Sequence, residues 1–438
     1  MIELILKIIR QLIFYGFRSG SHDMSSKVDV AIIGAGPFGL SVASHLLAHG
    51  VDVRVFGLPM QTWRDSMPHG MRLKSEGFAT NISDPKGELT LEKFCQAKNL
   101  PYAHTGIPVT AELFADYGNE FQRRFVPDLE RKLVTSVELG STGFDLRLNN
   151  NEALTARNVV IAVGIKAFDY LPSELRGFSE DLVTHSCSYG DAAHLAGKEV
   201  IVVGAGSSAT DTAALLRARG AKPSILTRRS TVNFQTPLGK RSLYDEIKAP
   251  MTGLGPGWKA VLCVKAPLLF HAMPEGFRVD VVRRFLGPAP GWFVRDEVEG
   301  HIPYITRSIL TKASAAGSRI RLSVRHADNS INDVDADHVI AATGYRVDVD
   351  RLAFLSKKIR SILRRAEGAP ALSRQFESSI PSLYFVGTSS ANSFGPMMRF
   401  AYGAEFTARR LTRHLAGRLR QVSASRTNTF TALGAERS

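Results

Sequence analysis

The chain has 438 residues, 44% of them hydrophobic and 22% charged, and carries a formal net charge of +14. That length holds two or three domains with cores of their own, and that composition excludes a chain dominated by disorder. The basic excess is densest at residues 357–365 and 409–420 with no nucleic-acid module beside it, which describes a solvated basic surface suited to an anionic cofactor and not a nucleic-acid partner.

Residues 1–17 are strongly apolar, with Glu3, Lys7, Arg10 and Gln11 on one helical face, and predict an amphipathic helix. The segment lacks the uncharged span of a transmembrane helix, and it has no basic n-region or cleavage site of a leader. It lies on a membrane surface, docks on the protein, or precedes a natural start at Met24. The first folded unit begins at about Lys27. Residues 28–33 form an apolar strand, Gly34-Ala35-Gly36-Pro37-Phe38-Gly39 a tight turn, and the next residues a helix to about Leu47 before a second strand at 51–56. This is the opening βαβ of a dinucleotide-binding unit. Its first glycine makes the turn, its second lets a pyrophosphate approach the backbone, and its third packs helix on strand. The second strand ends in Phe56-Gly57 with no acidic residue to hold a ribose hydroxyl.

Short alternating strands at residues 131–164, turning at Gly140-Ser141-Thr142-Gly143, predict a β-meander that returns to the parent sheet. After a linker with Pro172 and Gly177, a second unit starts near Gly197. Its apolar strand at 199–203 leads into Gly204-Ala205-Gly206-Ser207-Ser208-Ala209 and a helix. One such motif is weak, since any strand-to-helix turn can use glycine; two copies in the same context imply two bound dinucleotides. The second strand of this unit ends in Thr227-Arg228-Arg229, where an NAD site usually places an acid. Arg228 offers a fork of donors to a 2′-phosphate, which favours NADPH, although the arginines also fit exposed loop charges. Residues 234–305, rich in glycine, proline and aromatics including Trp258 and Trp292, are too long for a loop and predict an insertion with its own helices. Further strands end at Ala342-Thr343-Gly344-Tyr345 and Phe385-Val386-Gly387. The last helix spans about 401–419, and a frayed tail follows residue 422.

The expected fold is therefore α/β, with two Rossmann-like dinucleotide-binding domains, the NADPH domain inserted into the FAD domain, and a small helical insertion. FAD is assigned to the first fingerprint because its unit is completed by distant C-terminal elements. The expected divisions are an N-terminal extension at 1–24, the FAD domain at 25–175 and 336–420, the NADPH domain at 176–335, and a flexible tail at 421–438. Candidate cofactor residues are Gly34, Gly36, Pro37, Gly39, Gly204, Gly206, Ser207, Ser208, Ala209, Arg228, Thr343, Gly344 and Gly387. The three cysteines, Cys95, Cys187 and Cys263, lie far apart without a CxxC pair, which speaks against a disulfide scaffold, a metal site or a dithiol centre and fits a reducing, cytoplasmic setting.

This layout, from about residue 27 to 414, resembles the class B flavin-dependent monooxygenases, the group of flavin-containing monooxygenases, Baeyer–Villiger enzymes and lysine and ornithine N-hydroxylases. Ala342-Thr343-Gly344-Tyr345 resembles the segment that links their two domains. His185-Ser186-Cys187-Ser188-Tyr189 resembles the second half of their signature, its tyrosine nearer the flavin-containing monooxygenase form. The first half departs, with Ser179 and Asp181 where the signature has Phe and Gly and Phe178 one place early. Phe78-Ala79-Thr80-Asn81-Ile82-Ser83-Asp84 is similar to a stretch in which a Thr-Asn pair sits beside the flavin. The resemblance implies that Asn81 hydrogen-bonds the flavin's oxygen adduct or the nicotinamide; a turn or helix cap is the plain alternative. Trp63 and Lys74 fall in the same stretch, and Trp63 covers the flavin or fills the core.

The resemblance further implies that NADPH reduces FAD, that O2 forms a C4a-peroxyflavin, and that one oxygen atom passes to a small nucleophilic nitrogen or sulfur substrate or a ketone. It gives His185 a structural role, and directs the helix after Gly395-Pro396 at the flavin's N1/O2 region. The insertion is expected to line the substrate pocket, with Asp245, Glu246, Arg278 and Arg295 either meeting a charged group or forming surface ion pairs. Two rival readings remain. One is an NAD(P)H-dependent flavin reductase or dehydrogenase passing electrons to a quinone or partner protein; the other is a regulatory or membrane-associated flavoprotein with little turnover.

Overall fold

The computed structural model describes residues 26–435 apart from 191, 238–240 and 286–288. The amphipathic segment 1–17, its membrane contact and the Met24 start lie outside the described residues. Two sheets organise the rest. In the first, β1 (Ser26–Ile33) leads through α1 (Pro37–Ala48) to β2 (Val53–Phe56). Val28, Val30, Ala31 and Ile32 are all buried, as a strand covered on both faces requires. The meander of β3 (Val134–Leu139), β4 (Phe144–Leu148) and β5 (Ala153–Ile161) then runs antiparallel and brings β5 parallel against β1.

The second sheet is laid down from β6 (Val183–His185), β7 (Glu199–Val203), α2 (Ser207–Ala218) and β8 (Lys222–Leu226). After the insertion come β9 (Tyr304–Ile305), the antiparallel β10 (Ile309–Ala316), β11 (Arg319–Arg325) and β12 (Ile331–Ala336), and β13 (His338–Ala341). The parallel order is β9-β8-β7-β13-β6. The chain then returns to the first sheet, where β14 (Leu383–Phe385) pairs with the C-terminal half of β5, Leu383 opposite Val159 and Phe385 opposite Ile161. The insertion of one dinucleotide unit into the other is thus as expected, but the boundary placed at residue 336 is corrected. β13 belongs to the second sheet, because β7 needs a parallel neighbour and the fully buried Val339, Ile340 and Ala341 supply it, so the chain crosses back only around Gly344.

The insertion does form helices: α3 (Leu243–Lys248), α4 (Trp258–Lys265) and α5 (Glu275–Arg284) are joined to shorter turns. It acts as a strap. Phe234, Val294, Val298 and Ile302 at its two ends belong to the core of the second domain, whereas Leu254, Ala260 and Cys263 in its middle belong to the core of the first. A Cβ on Gly253 would collide with the Tyr402 ring, and one on Gly395 would stand 3.3 Å from Phe270.

The final helix differs at both ends from expectation. It is α6 (Ala404–Ala435), lying along α1, and the flexible tail expected from 421 is helical through Ala435. Residues 421–433 contain neither glycine nor proline, so nothing interrupts the hydrogen-bond ladder. Gly395-Pro396 opens no such helix either. Pro396–Arg399 is a single 3-10 turn, too short to direct a helix dipole at the flavin. Among the described residues, no helix is long and apolar enough to cross a membrane.

Candidate active site

The two glycine turns are built alike. Gly34 has φ +118°, and a Cβ there would lie 2.2 Å from the Ala162 carbonyl oxygen; Gly204 has φ +147°, and its Cβ would lie 2.4 Å from the Ala342 carbonyl oxygen. Only glycine allows that backbone and that approach. Gly39 closes the first turn, where a Cβ would lie 2.0 Å from the Gly34 carbonyl oxygen, and the fully buried Ala209 holds the corresponding place in the second. Gly36 differs, for a Cβ there would meet nothing within 4 Å, so open space lies before the turn. Each helix starts at a glycine, Gly36 or Gly206, without a side-chain cap and without an acid in its first turn. Pro37 occupies the first position of α1, where its missing N–H costs nothing. The free N–H groups and positive dipole ends of α1 and α2 therefore suit two pyrophosphates, and these residues fit FAD and NADPH. Ser207 and Ser208 add half-buried hydroxyls at the second turn, and Arg228 and Arg229 stand exposed at the end of β8.

The segment after β2 folds back on the first turn: Met60 N–H donates to the Ala35 carbonyl at 3.0 Å. It carries Trp63, half-buried and edge-on to Phe114 at 4.7 Å. Gly387 comes to the same place from the C-terminal part, its φ +70° and the Phe38 ring 3.3 Å from a would-be Cβ both favouring glycine.

Residues 31–252 match the pyridine nucleotide-disulphide oxidoreductase family. The chain belongs to that family. An indole-3-pyruvate monooxygenase, YUCCA1 of Oryza sativa subsp. japonica, is 29% identical over 347 residues, 73% of this chain and 77% of the relative. An ornithine N-hydroxylase of Kutzneria sp. 744, solved with reduced FAD, NADP+ and L-ornithine, superposes with a TM-score of 0.70 over 90% of this chain and 99% of that one at 16% identity. The flavin-containing monooxygenase of Stenotrophomonas maltophilia gives 0.61 over the same shares at 18%. The chain is thus an oxidoreductase by family, similar in sequence and fold to flavin-dependent monooxygenases of class B.

The remaining sites of the oxidoreductase that the sequence singles out are already engaged. Asn81 donates from Nδ2 to the Phe78 carbonyl at 2.9 Å and accepts at Oδ1 from Leu91 N–H at 2.8 Å, tying its turn to the helix Leu91–Lys98. The turn is braced from below by Tyr117, whose fully buried hydroxyl accepts from Ile82 N–H at 3.1 Å and donates to the Leu89 carbonyl at 2.9 Å. Asp84 collects the N–H groups of Lys86, Glu88 and Leu89. Thr343 and Gly344 join the two crossings between domains. The Thr343 hydroxyl donates to the Tyr170 carbonyl, and the Gly344 carbonyl accepts from Tyr170 N–H and His185 Nε2, both at 3.0 Å.

His185 is buried and burial lowers its pKa, so it is neutral. A carbonyl only accepts, so Nε2 carries the proton and Nδ1 accepts from Cys187 N–H at 3.3 Å. Both nitrogens are committed, as its structural role in the hinge requires. Asp169, His185 and Cys187 form a close cluster of possible metal ligands, but Asp169 is paired with Arg351 and the imidazole is occupied. Asp245 serves a capping box with Ser242, Arg278 donates to the His271 carbonyl, and Arg295 lies over Phe234 near Glu299. Glu246 is exposed. None of the four is spare in the way a substrate anchor must be, except Glu246.

Proposed function

We propose that this enzyme uses NADPH and O2 to insert one oxygen atom into a small substrate with a nucleophilic nitrogen or sulfur, or into a ketone. The observation that supports it is the pair of uncapped fingerprint helices, α1 and α2, held in two sheets that one strap binds together. Bound FAD supplies the two-electron carrier and the oxygen-activating carbon, and the balance is substrate, O2, NADPH and a proton giving oxygenated substrate, water and NADP+.

The residues of the chain have four tasks. The first-turn N–H groups of α1 and α2 hold the two pyrophosphates, and Arg228 takes the 2′-phosphate that distinguishes NADPH from NADH. Met60 ties the segment that carries Trp63 to the first glycine turn, and in this reading the one Nδ2 hydrogen of Asn81 that the Phe78 carbonyl leaves over is the donor toward the reacting oxygen. The hinge at Tyr170, His185 and Gly344 fixes where the second domain stands. The strap, rooted in both cores, would serve to exclude the water that releases peroxide.

The test is oxygen uptake and peroxide release by the FAD-loaded protein with NADPH and then NADH, with and without a panel of amines, thioethers and ketones. Substrate-dependent oxygen uptake with an oxygenated product supports the reading. NADPH oxidation that serves artificial electron acceptors and never yields such a product replaces it with a reductase.

A further inference from the structure

Two cations of the first domain reach into the second. Their segment is anchored at home: Leu73 is buried in the first core, its N–H donates to the Val109 carbonyl at 2.7 Å, and Arg72 bridges Thr110. From there the Lys74 ammonium donates to both carboxylate oxygens of Asp211, at 2.6 and 2.9 Å. Asp211 lies one turn beyond Ser207 on α2, the helix that opens at the second glycine turn, and only 7% of it is exposed. The Phe293 ring, at the returning end of the strap, has Lys74 Nζ 4.7 Å and Arg72 Cζ 4.8 Å from its centre. Arg72 goes on to pair with Glu297 at 2.5 Å. Gly70 adds a close approach, since a Cβ there would stand 3.5 Å from Leu215 of the same helix.

We propose that Lys74, lying over Phe293, and Asp211 form a clasp that fixes the register of the NADPH domain against the FAD domain. The inference rests on the preceding reading, in which the two cofactors react across this cleft. A buried ion pair adds little net stability, because desolvation offsets most of its attraction, but removing either partner is costly. What it confers is selectivity among arrangements: any slide of α2 past the 70–74 segment leaves a carboxylate buried with no cation. Burial raises the Asp211 carboxyl's pKa and Lys74 works against it, so the charge depends on the docked geometry. The contact sits a single turn from the second fingerprint, so a displacement there moves the reactive end of the nicotinamide, and hydride transfer is sensitive to displacements of that size. Lys74 and Asp211 are positioning residues in this scheme and touch no reacting atom.

The test uses the FAD-loaded enzyme and two variants. The double substitution Lys74→Met with Asp211→Leu replaces the pair by apolar groups of similar volume and keeps the fold; Lys74→Arg keeps the charge. Hydrogen–deuterium exchange at residues 69–74 and 207–215 is expected to quicken in the double variant and to stay near wild type in Lys74→Arg. Anaerobic flavin reduction at saturating NADPH is expected to slow on the order of tenfold to a hundredfold in the double variant, with FAD content and NADPH affinity little changed. Unchanged exchange overturns the clasp, whatever the rate does, and so does a wild-type reduction rate. If the wild-type enzyme itself transfers no hydride, the reading of the two cofactors fails, and the exchange measurement still decides whether the clasp exists.

Discussion

The carbonyl oxygen of Ala162 lies 2.2 Å from where a Cβ on Gly34 would stand, and that contact is reproduced in the second domain by Ala342 and Gly204 at 2.4 Å. The two nucleotide units are thus the same device built twice, each with its glycine turn lodged against the loop that leaves the neighbouring strand. Gly34→Ala and Gly204→Ala meet backbone at contact distances no structure tolerates, in addition to about 1–3 kcal/mol of backbone strain. Both are expected to lower the melting temperature. Gly36→Ala has room for its methyl and is expected to keep the melting temperature of the FAD-free protein while losing FAD, measured as flavin retained per protein.

Arg228 stands exposed at the end of β8, with no buried structural task. Arg228→Ala is expected to raise KM for NADPH by about tenfold, or about 1.4 kcal/mol, and to leave KM for NADH unchanged. Equal effects on both coenzymes would assign the arginine to the fold.

His45 on α1 is 4% exposed, with Nε2 3.0 Å from the Ser83 hydroxyl, and burial lowers its pKa to about 4. The folded state therefore binds fewer protons than the unfolded state between pH 6.5 and about 4, and stability rises with pH across that window. Acidification from pH 6.5 to 4 is expected to remove on the order of 3 kcal/mol through this group. Urea unfolding of the wild type and of His45→Gln at pH 7 and pH 5 isolates the contribution as the smaller pH dependence of the variant.

Asn81→Ala removes two hydrogen bonds to backbone and leaves Leu91 N–H without its acceptor, a loss of about 1–3 kcal/mol. If Asn81 also serves the reacting oxygen, peroxide release per NADPH consumed rises as well. A stability loss with full coupling restricts Asn81 to holding the turn.

Much of the fold is legible in the sequence because its signals are local. The two glycine turns, the Val/Ile runs before them and the meander at 131–164 each declare themselves within a few residues. The assignment of β13 is not local: a run such as Val339-Ile340-Ala341 suits any buried parallel strand, and only the vacant side of β7 decides which sheet takes it. The same holds at the site. The fingerprint residues could be named from spacing, whereas the partner of Lys74 lies 137 residues away and no pattern in either segment announces it. Tyr117 could have been suspected, as a tyrosine on the buried face of an amphipathic helix that must satisfy its hydroxyl, but its acceptors on another segment could not. The acidic and basic residues of the insertion were the least informative, since a charge in a loop reads the same whether it caps a helix or meets a ligand.

The pairing of β14 with β5 has a consequence for how the chain is made. Until residues 383–385 leave the ribosome, the apolar edge of β5 at Val159–Ile161 has no neighbour, although β1 and β5 are long finished. The nascent chain carries this sticky edge through the whole time in which the second domain is translated and folds. A truncation between Ile161 and Leu383 is therefore expected to yield an aggregating product, however complete its second domain, the last strand acting as the stopper on an edge that would otherwise recruit other chains.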